Sequence, residues 1–361
     1  MNHPVPAALL VPLLGLAAAL GALAPAQGST PVPPAPVVER AAPTGDPRFA
    51  PVDRPGPALR PSPAQLRRSV RCHGDFTRGR QAVLIVPGTA FTVATQFRWS
   101  WGRVLSRAGI PWCGVTPPQN SLGDLTVAGE YDVHAIRHTF RRSGGRPIAI
   151  VGHSQGGMRP RFALRFWPDV RAMVADMVGV APDNRGITLG TPDGAIGPLG
   201  GLACLAARCP QGLWQQFAGS RFLTALNSRR ETFAGIDYSV IYSRTDGAVM
   251  PRDTVLRPAP GTSYRRVAVQ DVCPARIADH LTNGTTDAVA LALLLDAVTH
   301  RGPVDPARLD RGVCGQLLDP RIDSLEAAAG AAGAPGQIAR ALATTPRAAA
   351  EAPLPAYVFA R

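Results

Sequence analysis

Six short apolar runs alternate with helix-like segments from Gln81 onward, and this alternation leaves few folds open. QAVLIVPG (81–88) is continuous, rich in β-branched residues and stopped by Pro-Gly, as a strand buried on both faces is. IPWCGV (110–115), RPIAIVGHS (146–154), the end of VRAMVADMVGVAP (170–182), IDYSVIYSRTD (236–246) and SYRRVAVQDVC (263–273) also read as strands. Between them, TQFRWSWGRVLSRAG (95–109), LTVAGEYDVHAIRHTFRRSG (125–144) and GMRPRFALRFWP (157–168) have helical spacing, with Pro160 suited to a first turn. TTDAVALALLLDAVTH (285–300) is a long apolar helix. Strands separated by helices call for an α/β architecture: a mostly parallel central sheet with helices on both faces. With 45% apolar residues in 361, the chain can fill such a core.

The ends have another character. Residues 1–26 read as a secretory signal peptide: an uncharged run from Ala7 to Leu23, then the small residues Ala24-Pro25-Ala26. Pro12 and Gly15 interrupt the run, which is short for a membrane span. The expected location is therefore extracellular. Residues 27–63 are dominated by Pro and Ala and read as a disordered leader, with order expected to begin near Gln65 and one domain over 64–361. The tail 319–361 is Ala-rich, with weak helix signals broken by Gly and Pro. The formal charge is +13 and every basic residue is Arg, yet the arginines are dispersed rather than gathered on a basic face. No nucleic-acid partner is expected. Six cysteines behind an export signal suggest disulfides, with the pairing open. No metal or cofactor is called for, and a monomer is favoured.

Ligands gather at the carboxyl ends of parallel strands. There, Gly152-His153-Ser154-Gln155-Gly156 fits G-x-S-x-G, a sharp strand-to-helix turn that exposes a serine oxygen. Such a serine needs a base and an acid later in the chain. Only His280 and His300 follow it. His300 closes the apolar helix, where a polar residue suits the dipole, whereas His280 lies in CPARIADHLTNG after the last strand. Asp246, just past YSVIYS and before Gly247, is the best-placed acid; Asp237, Asp253, Asp271 and Asp279 are less well placed. Donors for an oxyanion are the Gln155 amide and the loop Pro87-Gly88-Thr89. His153 is either pocket wall or packing.

LIVPGT, WCGVTPP, GHSQGG, GVAPDNRG, WQQ, SRTDGAV and ADH occur in an order that resembles the lipase B family of α/β-hydrolases, from about Pro63 to the end. The resemblance implies an α/β-hydrolase fold and secreted serine hydrolysis of lipid or small esters, with transient contact at a lipid interface. It implies Ser154, Asp246 and His280 as the triad and Thr89 with Gln155 as the oxyanion hole. It implies that Asp183 and Gln216 line the acyl side, and that His153 and Ala248 reshape the alcohol side. It pairs Cys72 with Cys113 and Cys273 with Cys314. Cys204 and Cys209 have no counterpart; they lie in a Gly-rich segment that is either a lid or a surface insertion. The expected activity is ester hydrolysis through an acyl-enzyme. An acyltransferase on the same scaffold is the first alternative, and a non-catalytic binding protein the second.

Overall fold

A computed structural model describes residues 46–187 and 208–360. The signal-peptide reading, most of the leader, Cys204 and all of the candidate lid segment before Arg208 fall outside them. All six expected runs form strands: β2 (Val83–Val86), β3 (Trp112–Val115), β4 (Ile148–His153), β5 (Val174–Val180), β7 (Asp237–Tyr242) and β8 (Ser263–Ala268). A further short strand, β1 (Val70–His73), pairs antiparallel with β3, and the sheet runs β1-β3-β2-β4-β5-β7-β8 with all its remaining pairings parallel. Two short strands, β6 (Cys209–Pro210) and β9 (Arg347–Ala348), pair antiparallel in a separate sheet. Because side chains alternate along a strand, each run feeds two cores. Leu84, Val86, Ile148 and Ile150 join one layer with Leu125, Phe162 and Phe222. Val83, Ile85, Ala149 and Val151 join the other with Trp101, Leu105, Leu291 and Leu294. The long apolar helix Ala288–Thr299 thus packs on one face, and the helix Leu125–Arg142 on the opposite one. Among the described residues, no helix is long and apolar enough to cross a membrane.

Two expectations change. Order begins well before Gln65: Phe49 and Ala50 are buried, and Ala50 N–H donates to Val358 O (2.9 Å). Prolines remove backbone donors from this stretch, so its carbonyls are met by side chains instead. Arg165 reaches Ala50 O (2.5 Å), Trp167 Nε1 reaches Pro57 O (2.9 Å), and Arg171 reaches Val52 O. Gly56 lies so close to Trp167 that a Cβ would fall 2.2 Å from its ring. The Ala-rich tail, secondly, contains one continuous helix, Ser324–Thr344, with Pro335 inside it. Asp323 caps its start, and contacts from outside hold it where propensity alone would break it: Gly330 lies against Trp99 and Gln337 donates to Ala90 O (3.0 Å).

The disulfides Cys72–Cys113 and Cys273–Cys314 form as the resemblance implied. The first joins directly paired residues of β1 and β3. His138 lies within 4.8 Å of its sulfurs, but both are spent in the bond, so this trio offers no thiolate to a metal.

Candidate active site

Ser154 sits between β4 and the short helix Gln155–Met158 with φ 54° and ψ −128°, a left-handed backbone that a non-glycine residue adopts only under constraint. The constraint is visible at its two glycines. A Cβ on Gly152 would lie 1.9 Å from Gly156 O, and one on Gly156 would lie 2.2 Å from Val86 O. Any side chain at either position would force strand and helix apart and release the turn. Ser154 N–H donates to Val180 O of β5 (2.9 Å), which anchors the turn to the neighbouring strand.

His280 begins the short helix His280–Asn283, and its Nδ1 lies 2.8 Å from Asp246 Oδ2. The other Asp246 oxygen accepts from Ala248 N–H (2.8 Å) and Val249 N–H (2.9 Å). Burial raises the Asp246 pKa, but the facing His280 and these hydrogen bonds outweigh it, so the carboxyl is held below its ordinary value. The rejected acids are occupied elsewhere. Asp279 caps the His280 helix through Leu281 N–H and Thr282 N–H, Asp271 pairs with Arg244, and Asp237 opens β7 at its far end. His300 caps the helix Ala288–Thr299 and bonds to Asp296 O.

Ser154 and His280 line one cavity of about 380 Å³ with Gly88, Thr89, His153, Gln216, Ala248, Val249 and Leu281. Its wall is otherwise largely apolar, with Phe91, Leu122, Ile187, Leu213, Ile338 and Leu342. Thr89 donates its hydroxyl proton to Gln216 Oε1 (2.7 Å) and accepts from Gln155 Nε2 (3.3 Å). Gln155 is in the first helical turn, where its backbone N–H has no intrahelical acceptor. Its side chain is pinned by Arg159, which donates to Gln155 Oε1 (2.8 Å) and to both oxygens of Asp132 within a wholly buried ion pair.

Asp183 departs from its expected place. It is fully buried and absent from the cavity wall, while Gln216 is on it. Among the described residues no other side chain or backbone group bonds to the Asp183 carboxyl oxygens, and burial pushes its pKa up to about 7.

No family model matches the chain. Over 274 residues it is 30% identical to lipase B of Pseudozyma antarctica, covering 74% of this chain and 72% of that protein. The chain belongs to the lipase B family. A solved structure, Aspergillus fumigatus lipase B, matches with TM-score 0.73 and 27% identity over 88% of this chain and 77% of that one. The fold is that of an α/β-hydrolase and the enzyme is a serine ester hydrolase.

Several side chains that hold the site were not singled out from the sequence. Gln96 bonds to Gly88 N–H through Oε1 (2.9 Å) and to His153 Nδ1 through Nε2 (2.8 Å). Arg276 pairs with buried Asp287 (2.6 Å) and donates to Gln316 O and Leu317 O, fastening the approach to His280. For Asp287 the available signal was a carboxylate directly before the apolar run AVALALLL; Gln96, in the mixed stretch FTVATQFRWS, carried none.

Proposed function

We propose that this lipase B relative is a secreted lipase or carboxylesterase that cleaves lipid esters through an acyl-enzyme on Ser154. The observation that carries the reading is the 2.8 Å Asp246–His280 pair facing the same cavity as the strained Ser154. His280 takes the hydroxyl proton through Nε2 as Ser154 Oγ attacks the ester carbonyl. Asp246, kept ionised, holds the imidazole by Nδ1 and stabilises the imidazolium. The developing oxyanion accepts hydrogen bonds from the Gln155 amide and from the amide and hydroxyl of Thr89, the hydroxyl turning away from Gln216 to do so. His280 then protonates the departing alcohol, and a water activated by the same ring releases the acid.

The apolar wall suits an acyl chain and supports lipid or other water-poor esters, triacylglycerols among them. Two disulfides are consistent with export. Ser154→Ala should abolish hydrolysis of p-nitrophenyl butyrate and labelling by a fluorophosphonate, with the thermal midpoint kept. Retained turnover in the variant would remove Ser154 from the chemistry.

A further inference from the structure

His153 is a buried titratable group beside the nucleophile that the steps above do not use. Its ring is 2% exposed and tilts over His280 at 4.4 Å between centroids. Both nitrogens are engaged, and their partners dictate the tautomer. Gln96 Oε1 accepts from the Gly88 N–H, so the amide nitrogen of Gln96 is the atom facing His153 Nδ1 at 2.8 Å. Nδ1 therefore accepts and carries no proton. The one ring proton sits on Nε2, which donates to His280 O at 3.0 Å. The opposite orientation of Gln96 would set an amide NH₂ against the Gly88 N–H. Burial and the neighbouring His280 hold the ring neutral.

Both loops make room for this ring. A Cβ on Gly284 would lie 2.1 Å from His153 Cδ2, and one on Gly88 would lie 3.3 Å from Nδ1. A residue that only filled space there would need neither an acceptor on one side nor a donor on the other.

Building on the triad reading, we propose that His153 is a positioning residue whose neutral Nε2–H ring ties the oxyanion loop Pro87–Ala90, through Gln96, to the backbone of His280. Asp246 holds the His280 ring at one nitrogen; His153 holds the chain from which that ring projects. Gln96 does the same for Gly88, next to Thr89. The base and the oxyanion loop are thus held relative to one another by one hydrogen-bonded chain, and errors of about 1 Å in such placement cost about 100-fold in rate.

The test uses the purified full-length protein, p-nitrophenyl butyrate and a fluorophosphonate, with His153→Phe, His153→Gln, Gln96→Leu and the double variant His153→Phe/Gln96→Leu. His153→Phe should lower kcat by about 10- to 100-fold while KM changes by less than about threefold, because the loss falls on the transition state. His153→Gln keeps one acceptor and one donor and should recover most of that loss. Gln96→Leu should be slow as well, and the double variant should be no slower than His153→Phe, since both act through one chain. The proposal is overturned by a folded His153→Phe with wild-type kcat, by His153→Gln as slow as His153→Phe, or by multiplying losses in the double variant. Should His153→Phe fail to show a cooperative melt, Gln96→Leu and His153→Gln decide: wild-type kcat in Gln96→Leu overturns it, and so does a loss in His153→Gln matching that in Ser154→Ala. Wild-type protein that neither turns over ester nor labels at Ser154 would strike the triad reading instead, whereas an active wild type with indifferent variants strikes this proposal alone.

Discussion

Around His280, Arg276 and Asp287 form a buried ion pair, Cys273–Cys314 closes the chain, and His153 bonds the backbone. Along Ser324–Thr344, which lends Ile338 and Leu342 to the same cavity, only Ala334 and Ala341 are buried, Pro335 interrupts the ladder, and the ion pair to Arg103 is roughly 40% exposed on each side. Two segments bordering one cavity are thus held by different means. The loop that carries a reacting group is fixed by buried, directional contacts that fail together when one partner goes. The helix that shapes the wall is held by scattered contacts, each replaceable by water. Geometry near the chemistry is guarded at a cost in buried polar groups, while the wall is free to differ.

The largest break in this contrast should come from Arg276→Ala. It leaves Asp287 buried and unpaired, so the expected loss is about 3–5 kcal/mol in urea unfolding. Ester turnover should fall with it, because the carbonyls of Gln316 and Leu317 lose their donor as well. A loss below about 1 kcal/mol would show that the His280 side is no more firmly held than the helix.

Asp183 shows what a buried carboxyl costs away from the cavity wall. Its folded pKa of about 7 stands above its ordinary 3.8, so the folded protein holds a proton there that the unfolded chain has given up between those values. That contribution is full near pH 4 and is lost as pH rises through 7. Asp176, also raised to about 7, works in the same direction, while His134 and His153, lowered by burial, favour the folded state at higher pH. The comparison between wild type and Asp183→Asn isolates one group. The variant's relative stability should improve by about 2.5 kcal/mol from pH 5 to pH 8 in urea titrations. A difference independent of pH would mean that Asp183 is ionised and partnered.

The smallest effect belongs to the helix. Glu326→Ala removes the exposed pair with Arg103 and should cost less than about 1 kcal/mol, shrinking further in 1 M salt. A loss comparable to that of Arg276→Ala would erase the distinction between the two segments.

The strands of the parallel sheet were legible because each is a run of residues that must be buried on both faces, and only such runs separated by helices satisfy that requirement. Ser154 was legible for a similar reason: positions 152 and 156 have no room for a Cβ, so glycine there in the chain is the geometry in miniature. Chain order, with Asp246 and then His280, narrowed the partners because few candidates follow. Less could be read where a residue's fate depends on distant chain. The segment from Pro47 to Pro61 looks unstructured by composition, since prolines deny it a ladder, yet arginine and tryptophan side chains from remote helices supply the missing partners. Ser324–Thr344 looks broken by composition, yet Trp99 and the loop at Ala90 hold it as a helix.

The amino-acid order by itself determined the layered sheet, the serine turn and the small set of polar residues available to it. These follow from local sterics and from the period of apolar burial, which act over a few residues. Tertiary structure decided that Asp246 reaches the ring of His280 and that Gln96 and His153 link two loops. Those outcomes rest on hydrogen bonds between segments far apart in the chain, whose partners exist only once the sheet has brought its carboxyl ends together.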